Sequence, residues 1–192
     1  MLFRSNESLI PLFRSITQIA EFFGPNDPVS EFDYWTPIMS IPGIIGTTLE
    51  NLSHVQQYLA ADTRLVKGWQ ELLGPKKRLR VGFCWSGRRD TWINRHKAMP
   101  FETMLELIKR NPDYEWINLQ CDCNKEEETE LVANGVTAFP GMIRNFADTA
   151  ALVHHLDVVL SVDTAVAHLA GALGRPAWRS EEHTSELQSP MY

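Results

Sequence analysis

From Arg78 to Trp178 the chain alternates between short apolar runs and segments of helical periodicity, and this alternation restricts the fold more than any other feature of the sequence. "RLRVGFCWS" (78–86), "YEWINLQC" (114–121) and "DVVLSV" (157–162) have the β-branched and aromatic content of buried strands. The third is apolar at nearly every position, as a strand covered on both faces must be. "PFETMLELIKRN" opens on proline, sets Phe101, Met104, Leu105 and Ile108 on one helical face and closes on basic residues. "NKEEETELVANG" carries carboxylates in its first turn, where the helix dipole favours them, and offers Gly135 just past its end. "VTAFP" reads as a short strand, and "ADTAALVHHL" as a helix capped by Asp148. A closing helix over 164–173 is stopped by Gly174 and Pro176, and "PAW" begins a last strand. Strands separated by helices need right-handed crossovers, so the fold class is α/β: a Rossmann-like parallel sheet with helices on both faces.

Upstream the pattern changes. "SLIPLFRSITQIAEFF" reads as a helix and a strand, and "GPNDPVSEFDYWTPIMSIPGIIGTT" has the proline, glycine and turn-formers of a connection between lobes. "LENLSHVQQYL" and "DTRLVKGWQELLG" read as helical, the second capped by Asp62 and ended by Gly74. The expected division is a remnant of a preceding lobe with its connection over 1–60, and an incomplete Rossmann-like lobe over 61–178. Residues 179–192, "RSEEHTSELQSPMY", lack apolar periodicity and back-translate to a string resembling a sequencing-library adapter. They are expected to be an artefactual or disordered tail on a chain truncated near Trp178.

Composition excludes several classes of function. A net charge of −6 speaks against a general nucleic-acid binder, which needs a concentrated basic surface. The cluster Lys76, Lys77, Arg78 and Arg80 reads as a solvated entry to a strand. Three cysteines make no disulfide framework, and Cys121 and Cys123 have the wrong spacing for a metal pair, so a reducing cytoplasm is the expected setting. No apolar run reaches the roughly 18 residues of a transmembrane segment.

Parallel sheets of this kind bind ligands beyond the carboxyl ends of their strands, which directs attention to the turns after Ser86, Gln120 and Val162. Asp163 and Thr164 stand where a helix begins, and the first N–H groups of a helix lack intrahelical partners at its positive end. Ala165 and Ala167 let a phosphate approach the backbone, and the Thr164 hydroxyl can donate to it. Asp163 capping its own helix explains the same Asp-Thr pair equally well at this level. His168, one turn on, either faces that ligand or meets core or solvent. The turn after Ser86 is long, carries Gly87, and brings four cations, Arg88, Arg89, Arg95 and Lys97. It contains neither GxGxxG nor GxxxxGK[ST], so neither a dinucleotide fingerprint nor a Walker loop is present.

"VGFCWSG", "NRHKAMPF", "NFADTAALVHHLDVVLSVDTAVAHLAGALGRPAW" and "PIMSIPGIIGTTLE" together resemble the C-terminal half of bacterial tetratricopeptide-repeat glycosyltransferases. These are relatives of the lipopolysaccharide heptosyltransferases with the GT-B plan of two facing Rossmann-like lobes, and the resemblance covers 33–178. It implies that this lobe binds a nucleotide-sugar donor as substrate, without a cofactor or metal. The preceding lobe would carry the acceptor site and the catalytic base, so no catalytic residue is named here.

Substrate-binding residues implied on this basis are Lys97 for the donor phosphate, and Asp163, Thr164 and Ala165 as the phosphate turn with His168 following; Arg95 joins them as a cation of the long turn after Ser86. Ser86 and Gly87 would form the strand-end loop, and Gln120 would border the nucleotide. "CDCNKEEE" and "RHKAMP" depart from the family's usual loops, leaving base and sugar open, and the acceptor is either protein or glycan. Two other functions fit the same features: a non-catalytic nucleotide-sugar or phosphate-binding module, and a sugar-nucleotide epimerase. With half of its cleft missing, the chain alone is expected to be inactive.

Overall fold

The computed structural model describes residues 1–52, 57–87 and 97–180. The main sheet is four-stranded and parallel throughout. Its strands are β3 (Arg80–Cys84), β4 (Glu115–Asn118), β5 (Val158–Val162) and β6 (Ala177–Ser180), in the order β4-β3-β5-β6. The chain steps outward from β3 to β4 and then returns past β3 to lay down β5. That reversal opens a crevice between the carboxyl ends of β3 and β5, whose register runs from Val81↔Val158 to Cys84↔Ser161.

Strand alternation sends successive side chains to opposite faces, and each face has its own core. Helices α4 (Phe101–Arg110) and α5 (Lys125–Ala133) cover one face, burying Phe83, Trp85, Met104, Ile108, Trp116 and Leu131 together. Helices α3 (Thr63–Leu73), α6 (Phe146–Val153) and α7 (Ala165–Ala172) cover the other, over Cys84, Ile117, Leu119, Leu152, Leu156 and Val159. Central β3 has glycine at 82 because a Cβ there would collide with the side chains of Leu156 and Leu119. The α/β class expected from sequence is the class observed.

Local chemistry accounts for the helix ends. Asn124 and Glu127 exchange bonds in a capping box that starts α5, and Asp62 accepts from Arg64 N and Leu65 N to start α3. Helix α7 ends with Gly174 at φ 66°, while Arg175 N donates to Ala170 O at 2.8 Å and Gly174 N to Gly171 O at 2.9 Å. Only a residue tolerant of positive φ permits that paired closure.

Three local expectations are corrected. "VTAFP" is not a strand; it makes a single bridge, Ile117↔Thr137, before Pro140 and Gly141 (φ 70°) turn the chain away. The cap of α6 is Asn145, whose extended backbone lets its side chain accept from Ala147 N and Asp148 N. Asp148 instead lies buried in the first turn, accepting from Arg144 N at 3.0 Å. "LENLSHVQQYL" falls partly outside the described residues. Of the rest, Gln57 pairs antiparallel with Leu173, and the N–H groups of Tyr58 and Leu59 donate to Ala172 O, so this stretch clasps the end of α7.

In the first sixty residues, β1 (Leu2–Arg4), which carried no strand signal in the sequence, pairs in parallel with β2 (Glu21–Phe23). Helix α1 (Ile10–Phe13) reaches the main core through buried Leu12, and Phe146 N donates to Ser8 O at 3.0 Å. A 3₁₀ turn (Ile38–Ser40) and α2 (Ile41–Ile44) follow, with Tyr34, Trp35, Met39 and Ile45 exposed. At the other end, Arg179 and Ser180, expected to open the tail, continue β6; residues 181–192 lie outside the described residues.

Candidate anion site at the carboxyl end of the sheet

Beyond β5 the chain reaches Asp163 and then Thr164, the N-cap of α7, which holds φ −136° and ψ 167°. Among the described residues no side chain caps this helix. The Thr164 hydroxyl lies 2.8 Å from Ser161 Oγ, held by the strand beneath it. The first amides of α7 are therefore left at a positive helix end beside Ala165, whose methyl group is exposed. An anion is the chemical complement of that arrangement.

Asp163 does not cap the helix. Its Oδ2 accepts from Lys97 Nζ at 2.8 Å, while its Oδ1 lies 3.4 Å from Arg179 Nη1 and 3.5 Å from His168 Nε2. The Lys97 hydrogen bond holds the Asp163 carboxyl below its usual range, against partial burial and with help from the fields of Lys97, Arg179 and His168. One carboxylate thus gathers the ammonium of Lys97 and the guanidinium of Arg179 at the rim of the helix mouth. His168 stands mostly in solvent, 71% exposed, one turn along α7.

Across the crevice, β3 runs out through Trp85 into Ser86 and Gly87. Met99 N donates to Trp85 O at 2.8 Å, so the chain comes back beside its own exit two residues after Lys97. Gln120, after β4, is buried with every polar atom of its side chain engaged by protein. Its Oε1 accepts from Ser86 N at 3.0 Å and from Cys84 Sγ at 3.1 Å, and its Nε2 donates to Ser86 Oγ and to Asp122 Oδ1. Burial pushes the Cys84 thiol up to about 12, against a lowering contact from Thr164, so it is an inert neutral donor.

The structure brings Lys97, Asp163, Thr164, Ala165 and His168 together at one crevice, with Ser86 and Gly87 on its far wall. Gln120 lies behind that wall, and Arg95 falls outside the described residues, as do Arg88 and Arg89. Sequence reasoning missed Ser161 and Cys84; the available signal was Ser161 itself, a polar residue inside an otherwise apolar strand. Among the described residues no group of three or more His, Cys, Asp or Glu is placed to hold a metal, and no helix is long and apolar enough to cross a membrane.

The profile of glycosyltransferase family 9 (heptosyltransferase) matches residues 56–177. Protein FlbA of Caulobacter vibrioides is 28% identical over 155 residues, covering 76% of this chain and 25% of FlbA. Among solved structures, that of E. coli ADP-heptose lps heptosyltransferase II is similar with a TM-score of 0.57 at 16% identity, over 93% of this chain and 61% of that one. The family 9 glycosyl transferase from Veillonella parvula follows with a TM-score of 0.55 at 11% identity, over 84% of this chain and 46% of that one. The chain spans a quarter of FlbA and less than two thirds of either transferase. At such identities the two structures speak to the fold alone, the Rossmann-like lobe of a GT-B protein.

Proposed function

The chain belongs to glycosyltransferase family 9, and on that premise we propose that its sheet is the donor-binding lobe of a transferase moving a sugar from a nucleoside diphosphate to an acceptor hydroxyl. The observation that carries this reading is the uncapped start of α7 in the crevice between β3 and β5, with the Lys97–Asp163 pair at its rim. The printed donor of the E. coli relative, ADP-heptose, supports a nucleoside diphosphate sugar as the ligand class.

In the transfer, the bond between the anomeric carbon and the diphosphate oxygen breaks, and its electron pair stays on that oxygen. The acceptor oxygen bonds to the same carbon and gives its proton to a base on a facing lobe. Charge grows on the leaving phosphate as the bond stretches, so donors aimed there stabilise the transition state more than the ground state. The α7 amides and the Lys97 ammonium are those donors; with Ser161 Oγ donating to Val162 O, the Thr164 hydroxyl spends its own proton on Ser161 Oγ. Asp163 keeps Lys97 at the helix mouth before the donor arrives, and Ser86 and Gly87 border the nucleotide. His168 reaches the ligand from α7.

The quarter share of FlbA supports reading this chain as one lobe of a longer protein. Residues 1–60 would then connect it to the acceptor-binding part, and 61–178 would form the donor lobe. The test is calorimetric titration with ADP, UDP and GDP. Lys97→Ala is expected to weaken the preferred diphosphate about 10- to 100-fold, as loss of a charge-assisted hydrogen bond does. Melting should hardly change, because the Lys97–Asp163 pair is half exposed, at 46% and 33%. A wild-type chain that binds none of the three at millimolar concentration would reject the reading.

A further inference from the structure

Resting on the anion site described above, we propose that Gln120 is a positioning residue that preorganises both walls of the crevice without touching the ligand. A glutamine side chain has two acceptor lone pairs and two N–H donors. Here all four are used inside the protein: Oε1 by Ser86 N and Cys84 Sγ, Nε2 by Ser86 Oγ and Asp122 Oδ1. With the side chain also buried, no capacity remains for a nucleotide.

What Gln120 holds is the exit of β3. Pinning Ser86 N fixes the peptide that follows Trp85, and Trp85 O in turn accepts from Met99 N at 2.8 Å. Lys97 stands two residues before that anchor and extends 2.8 Å to Asp163 on the opposite wall. Through Oε1 the same amide orients the Cys84 thiol, which neighbours the Thr164 hydroxyl. Ser161 Oγ, 2.8 Å from Thr164 Oγ1, closes this line of polar groups across three strand ends. A donor array held in place beforehand binds its anion without a further ordering cost.

Gln120→Glu separates positioning from bulk stability. It keeps an oxygen to accept from Ser86 N and Cys84 Sγ, but turns the amide nitrogen, a donor, into an acceptor facing the Asp122 carboxylate. Asp122→Asn supplies a donor for that new oxygen, so the second change should repair the first. Binding of ADP, UDP and GDP is measured by calorimetry for wild type, Asp122→Asn, Gln120→Glu and the double variant, well below the melting transition of each. Gln120→Glu is expected to weaken binding about tenfold on the wild-type background and less than about threefold on the Asp122→Asn background.

A purely structural role would lower the melting temperature and leave the affinity of the folded protein unchanged. That result, or an equal penalty on both backgrounds, overturns the proposal. Should Gln120→Glu not fold, Ser86→Ala removes one acceptor of Nε2 together with the Ser86 Oγ bond to Gly87 O, and an unchanged affinity there overturns it as well. Failure of the wild type to bind any of ADP, UDP and GDP would instead strike the anion site itself, and this proposal with it.

Discussion

Replacing Ala165 by proline isolates the contribution of one backbone amide. Ala165 is the first residue of α7, and its side chain is exposed. Proline suits that position, since its φ of about −65° is helical and the N–H it lacks has no intrahelical acceptor. The preceding residue must be extended, and Thr164 already is, at φ −136° and ψ 167°. The first bonds of the helix, from Ala167 N and His168 N to Thr164 O, are untouched.

Stability should therefore stay level or rise by up to about 1 kcal/mol, through a stiffer unfolded chain. Binding is another matter. One hydrogen bond to a charged phosphate is worth about 1.5–3 kcal/mol, and the next amide with Lys97 recovers part of it, so the expected loss is about tenfold in Kd. Calorimetry with the preferred nucleoside diphosphate and a thermal melt measure the two quantities, with Ala165→Gly, which keeps the N–H, as control. Wild-type affinity in Ala165→Pro, or an equal loss in Ala165→Gly, would refute the reasoning.

At the opposite end of β3, buried Arg80 donates to Glu115 Oε2 at 2.7 Å and to the carbonyls of Leu73 and Gly74. Arg80→Met is expected to cost about 3 kcal/mol in urea unfolding, because Glu115 Oε2 and the carbonyls of Leu73 and Gly74 lose the guanidinium together; a loss under about 1 kcal/mol would contradict this. Burial raises the Glu115 carboxyl, but bonds from Arg80 and from the N–H groups of Lys77 and Arg78 outweigh it and hold the group below its ordinary 4.5. Asp157 is likewise raised by burial and lowered further by Lys76 and Arg80 N, to below 3.8. Depressed folded values mean stabilisation that is complete above the ordinary ones and lost as pH falls through the folded ones. The gap between wild type and Arg80→Met should therefore be full at about pH 7 and narrow at about pH 3, and a constant gap would be the wrong sign of linkage. Asn145→Ala removes the two capping bonds of α6 and should cost about 1 kcal/mol by thermal melt, with no change arguing against the cap.

Local signals resolved most of the α/β lobe. The runs around Val81, Ile117 and Val159 are buried on two faces, so their apolar content is continuous and their strands were legible. Gly135 and Gly174 marked the ends of helices because both sit at positive φ. Signals failed where two choices were locally equivalent. Asn145 and Asp148 can each cap a helix, and only the turn before α6 decides which backbone is extended. "VTAFP" has strand composition, yet one bridge to Ile117 is all the edge of the sheet offers it.

The order of residue types along the chain determined by itself that strands alternate with crossover helices, and that a helix start lined by small residues follows β5. Those are properties of neighbours a few positions apart, carried by periodicity and backbone preference. Tertiary structure alone decided that Asp163 turns to Lys97, 66 positions away, rather than to its own helix, and that Gln120 serves Ser86, 34 positions away. Both outcomes depend on which strand ends the parallel order sets side by side, and that order follows from packing two cores at once, which no short window of sequence contains.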